Sequence, residues 1–107
     1  MATFGLVHGA GHGAWCWERL IPALEGLGHR AWAMDLPVED PEAGCLRYAE
    51  VVDKALPAVD DLVLVGHSLG GLTIPLVAAR RPVRKLVFLC ALVPLFGKSL
   101  LDQVVTE

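Results

Sequence analysis

"LVLVGHSLGGLTIPLVAARRP", residues 62–82, decides how this chain is read. With Asp61 before it, "DLVLVG" (61–66) opens the stretch as an unbroken apolar run, the pattern of a strand covered on both faces of a parallel sheet. A helix is expected from Ser68 to about Arg80, ending before Pro82. Between them stands Gly66-His67-Ser68-Leu69-Gly70, a serine between glycines on a sharp strand-to-helix turn. The segment from Leu62 to Ala79 carries no formal charge, a length that raises a membrane span. Gly66, His67, Ser68, Gly70, Gly71, Thr73 and Pro75 make it a poor one, and a buried strand, turn and helix explain it better.

The same alternation extends in both directions. "TFGLVH" (3–8) is a short β-rich run ending in glycines. "WCWERLIPALEGLG" (15–28) sets Trp17, Leu20, Ile21, Leu24 and Leu27 at helical spacing, with Pro22 crowding the helix and Gly26 and Gly28 stopping it. "RAWAMD" (30–35) is a second strand. "CLRYAEVVDKALPAV" (45–59) is a second amphipathic helix with Leu46, Ala49, Val52 and Leu56 inward, and "KLVFLCALV" (85–93) a fourth element, a strand. The fold class is therefore α/β: a parallel sheet of about four strands, with helices on both faces and right-handed crossovers. In such sheets chemistry gathers at the carboxyl ends of the strands, where both glycine-rich segments, 9–13 and 66–71, lie.

Composition narrows the classes. Of 107 residues, 54% are hydrophobic and only 20% charged, against roughly a quarter in an ordinary small domain, so the chain reads as the inside of something larger. A net charge of -3 gives no basic footprint for nucleic acid and no membrane-binding patch. The densest cations, Arg80, Arg81, Arg84 and Lys85, flank a helix end, where they suit the dipole. Cys16, Cys45 and Cys90 are odd in number and widely spaced, which suits reduced thiols in the cytoplasm better than disulfides or zinc. No secretory leader is evident in "MATFGLVHG".

Two chemistries compete for the first turn, "HGAGHGAW" (8–15). Gly9-x-Gly11-x-x-Ala14 with Asp35 at the end of the next strand matches a dinucleotide-binding fingerprint. Trp15 and Trp17 crowd the place where a pyrophosphate would dock, and that reading leaves the second turn unexplained. The other reading joins both turns in one device. Ser68 is a nucleophile on a strained elbow, with Gly66, Gly70 and Gly71 letting strand and helix pass closely. The backbone N–H groups of Leu69 and Ala10 form the oxyanion hole. Gly9, His12 and His67 are the expected substrate-facing positions, and His8 a structural one that fixes the loop.

"GLVHGAGHGAWCWERLIPALEGLGHRAWAMDLP", "LVLVGHSLGG" and "KLVFLCALVP" resemble the N-terminal half of an α/β-hydrolase, in the branch of the plant methylesterases and hydroxynitrile lyases. The resemblance implies a strand order of 2-1-3-4, Ser68 as nucleophile, Ala10 and Leu69 as oxyanion-hole donors, a small ester as substrate, and no metal or organic cofactor. The similar lyases carry a threonine where Gly9 stands, so it also implies ester hydrolysis rather than cyanohydrin cleavage.

A serine needs a base, and in this fold the order is Ser, then Asp or Glu, then His. No histidine follows Ser68, and the only later acids are Asp102 and Glu107. The chain is thus expected to be the N-terminal part of one hydrolase domain (1–107), lacking lid and C-terminal strands, and weakly active or inactive alone. Of the upstream histidines, His8 is the nearest substitute base, His12 lines the pocket mouth, His67 points away from the nucleophile, and His29 is exposed at a helix end. A metal site from His8, His12 and His67 lacks carboxylate or thiolate company. The fourth strand presents an apolar edge, which a second copy or a partner chain would cover.

Overall fold

Strands β1 (Thr3–Val7), β2 (Arg30–Ala33), β3 (Leu62–His67) and β4 (Lys85–Leu89) form one parallel sheet in the order β2-β1-β3-β4. The structure is a computed structural model and describes residues 1–91. The end of the expected fourth strand (Leu92, Val93) and the acids Asp102 and Glu107 lie outside the described residues.

Period-two alternation in the central strands feeds two separate cores. Val7, Leu62 and Leu64 face helices α2 (Cys45–Ala55) and α3 (Gly70–Ala78), packing with Tyr48, Val52, Ile74 and Val77. Leu6 and Val65 face the other way, onto Trp17 and helix α1 (Leu20–Gly26). Helices therefore cover both faces, as expected, and every residue of β3 before His67 is buried. Each fully buried leucine or valine contributes about 1.5–3 kcal/mol relative to exposure.

Local chemistry explains three departures from the helices read in the sequence. The single helix expected over 15–28 is a 3₁₀ turn at Ala14–Trp17 followed by the short α1. Pro22 thereby falls in the first turn of α1, where its missing N–H breaks no intrahelical bond. Leu27, placed at helical spacing with Leu24, stands just past the helix end and is exposed. Leu46, in the first turn of α2, is likewise exposed, and Tyr48 is buried in its stead beside Ala49 and Val52.

The cations after α3 do more than suit a helix dipole. Asp53 on α2 accepts from Arg80 Nε at 3.2 Å and from Arg81 at 3.4 Å, and Arg81 also donates to the carbonyls of Asp53 and Pro57. These contacts join α2 to the end of α3. Asp53→Ala is expected to cost about 1–2 kcal/mol in urea denaturation, because Arg81 is mostly buried and loses its carboxylate. Glu50→Ala, which removes only exposed pairs with Arg47 and Lys54, should change stability by less than about 0.5 kcal/mol. Equal losses in the two variants would refute the joining role of Asp53.

Candidate functional site

Sheet register brings the two glycine-rich turns together. Val7, the last residue of β1, pairs with Gly66 of β3, so His8-Gly9 emerges beside His67-Ser68 at the carboxyl ends of the strands. Leu6 pairs with Ala33, which sets the chain after β2, from Met34 onward, on the other side of the first turn.

Ser68 is exposed and has φ +56°, a left-handed conformation that costs a non-glycine residue about 1–2 kcal/mol. Two glycines make the turn sterically feasible. A Cβ at Gly66 would lie 2.7 Å from the Gly70 carbonyl oxygen, and one at Gly70 only 2.5 Å from that of Val7. Leu69 already has helical dihedrals, so its N–H belongs to the unpaired start of α3. Gly71, buried in the first turn of α3, donates its N–H to the Ser68 carbonyl at 3.1 Å, and Ser68 N–H reaches Leu89 O of β4 at 3.4 Å.

The first turn lies directly on this serine. A Cβ at Gly9 would sit 3.0 Å from Ser68 Cβ and 3.3 Å from Leu69 N, so position 9 is in contact with both. Ala10, next in the chain, is exposed at the same end of the sheet. His8 anchors this turn from inside and is 1% exposed. Leu36 N–H donates to His8 Nε2 at 3.0 Å, which leaves the ring proton on Nδ1 for the Gly9 carbonyl at 2.8 Å. Both ring nitrogens are thus committed, and neither is available to take a proton from Ser68.

The remaining histidines are also placed. His12 stacks on His67 with ring centroids 5.6 Å apart and planes 12° apart, and its edge meets Trp15. His67 further meets the buried Trp17 at a steep angle. His29 is half-buried rather than exposed: it accepts from Ala2 N–H at 2.9 Å and packs against Phe4. No group of three or more potential metal-ligating side chains occurs among the described residues. Burial pushes the Cys16 thiol up, away from the thiolate form a nucleophile would need.

Asp35 argues against the dinucleotide fingerprint of Gly9, Gly11 and Ala14. Its Oδ1 accepts from Ala14 N–H at 2.8 Å, so the carboxylate assigned to a ribose holds the start of the 3₁₀ turn. The helix after that turn, α1, has only seven residues and begins at Leu20, well beyond the glycines. Three contacts were beyond sequence reasoning: the clip by Asp35, the pairing of His12 with His67, and the bond from Leu36 to His8. All join residues far apart in the chain, and no local pattern signals them.

Residues 6–105 match the model of the alpha/beta hydrolase family. A probable esterase of Oryza sativa is 45% identical over 109 residues, covering 91% of this chain and 41% of that protein. An alpha-hydroxynitrile lyase of Arabidopsis thaliana is 40% identical over 103 residues, covering 85% and 40%. Among solved structures, polyneuridine aldehyde esterase superposes with a TM-score of 0.79 at 32% identity, over 99% of this chain and 46% of that one. The chain spans less than half the length of each.

Proposed function

The chain belongs to the alpha/beta hydrolase family, within the branch of plant esterases and hydroxynitrile lyases, and we propose that it carries the nucleophile and oxyanion hole of a serine esterase. The observation that carries this reading is the left-handed Ser68 on an exposed turn with Gly9 packed against it. Ser68 Oγ attacks the carbonyl carbon of a small carboxylic ester, and the oxygen gains negative charge. The N–H groups of Leu69 and Ala10 stabilise that charge, each donor contributing about 3 kcal/mol in sites of this kind. The alcohol leaves, and water releases the acid from the acyl-enzyme.

Both ester hydrolysis and cyanohydrin cleavage are represented among the relatives. Gly9 favours hydrolysis. A side chain there would rest on Ser68, so whatever occupies position 9 meets the reacting atoms, and glycine brings no hydroxyl to handle a cyanohydrin. Within residues 1–107 the base is the missing part. None of the four histidines follows Ser68; both ring nitrogens of His8 and Nδ1 of His29 are hydrogen-bonded, and His12 and His67 stack on each other. The general base and its carboxylate then come from outside this stretch, which alone is weakly active or inactive. A cytoplasmic setting suits its three free cysteines. The β4 edge, where Phe88 and Leu89 are exposed, suits a covering strand or a partner chain.

A paired experiment tests this. The 107-residue chain should turn over p-nitrophenyl acetate no faster than its Ser68→Ala variant. Joined to the part of the rice esterase that it does not span, it should gain activity that Ser68→Ala lowers about 10⁴-fold or more. Fluorophosphonate should then label Ser68 and no other serine. An active joined protein indifferent to Ser68→Ala would sink the nucleophile, and full turnover by the 107-residue chain alone would sink the missing base.

A further inference from the structure

A cavity of about 430 Å³ lies between the first turn and the segment after β2, lined by residues of both. Of its lining residues only His12 enters the esterase reading above. Its floor is Gly13, which is buried. A Cβ on Gly13 would lie 2.9 Å from Asp35 Oδ1 and 2.9 and 3.0 Å from Trp15 Cδ1 and Nε1. Glycine is what lets an indole and a carboxylate converge on one spot. Trp15 is 62% exposed, a large aromatic surface left open, and the edge contact with His12 fixes its ring.

Charge gives the cavity a sign. Asp35 and Glu39 both line it, and neither forms an ion pair with a described residue. Only Oδ1 of Asp35 is engaged, by a backbone N–H, which leaves its second oxygen open. Neither residues 1–18 nor residues 31–46 contain a lysine or arginine. Asp40 and Glu42 stand close by in the same segment and add to the negative field. An aromatic surface beside unpaired carboxylates attracts a cation with apolar groups around its charge.

We propose that this cavity binds a small organic ammonium ion, the charged nitrogen between Asp35 and Glu39 and its alkyl groups on Trp15. An anion meets two carboxylates there, and a neutral apolar molecule gains nothing from them. Binding needs nothing from Ser68 and stands or falls apart from the esterase reading.

Choline and its neutral isostere 3,3-dimethylbutan-1-ol are the probes, titrated into the ¹⁵N-labelled 107-residue chain and followed by amide and indole shifts. Choline should move Gly13, Trp15 and Val38 with saturation in the millimolar range. The isostere should bind at least fivefold more weakly, and raising the salt should weaken choline alone. Glu39→Gln and Trp15→Leu, both at exposed positions, should each weaken choline about three- to fivefold. Ser68→Ala should leave the titration unchanged. Equal affinity for the two isosteres, shifts away from the cavity, or indifference to both Glu39→Gln and Trp15→Leu would overturn the proposal. The spectrum of each variant reports its fold directly, and the exposed Glu39 supplies a test should Trp15→Leu disturb the loop.

Discussion

Gly70→Ala should destabilise the protein by about 3 kcal/mol or more, among the largest losses a single methyl group can cause here. The added Cβ would lie 2.5 Å from the Val7 carbonyl oxygen and 3.1 Å from that of His8. Both obstacles are backbone atoms of a central strand and the turn it feeds, so no flexible side chain can swing aside. Relief requires α3 to move off β1, which opens the layer holding Thr73, Ile74 and Val77. Gly26→Ala is the internal control. Nothing lies within 4 Å of its added Cβ, and alanine is the better helix former, so stability should hold or rise by up to about 1 kcal/mol. Urea denaturation of the two variants decides it. A Gly70→Ala variant within about 1 kcal/mol of the parent would mean that the close approach of α3 to β1 is not what holds this turn.

The sheet was legible in the sequence because its strands are buried on both faces. Runs such as Leu62–Val65 have no polar alternation to obscure them, while the strand order β2-β1-β3-β4 came from the resemblance to α/β-hydrolases rather than from the alternation itself. The turn around Ser68 was legible because its demands are local: glycine on each side, a strand before and a helix after. Where the reading failed, the deciding contact was distant or the element ended early. Leu27 has helical spacing from Leu24, but the helix stops at Gly26, and spacing means nothing beyond a helix end. Leu46 keeps the spacing of Ala49, yet in the first turn of α2 it stays exposed. Asp35 sits where a ribose-binding acid would sit in another family. Only the fold shows that Ala14 N–H has taken it. His67 was read as substrate-facing and turned from the nucleophile; its stacking on His12 was not foreseen, because it depends on β1 and β3 being neighbours, a fact of topology.

His8→Leu should cost about 3 kcal/mol, although leucine fills much of the same space. Two buried backbone groups lose their partner at once. Leu36 N–H, which now donates to Nε2, is left with none among the described residues, and the Gly9 carbonyl loses the donor at 2.8 Å. An unpaired buried donor costs about 1–3 kcal/mol, and the Gly9 oxygen keeps only a longer bond from His12 N–H at 3.3 Å. Amide exchange at Leu36 and His12 should quicken before the rest of the sheet opens, since the damage is confined to the joint between β1 and the segment after β2. His8→Gln is the discriminating variant. A carboxamide offers one acceptor and one donor, so it can serve Leu36 and Gly9 together and should recover part of the loss. If leucine and glutamine cost the same, the contribution of His8 is shape alone. If glutamine recovers stability and slows exchange at Leu36, the hydrogen bonds hold the turn. The position of Gly9 against Ser68 would then be set by an imidazole that never touches a substrate.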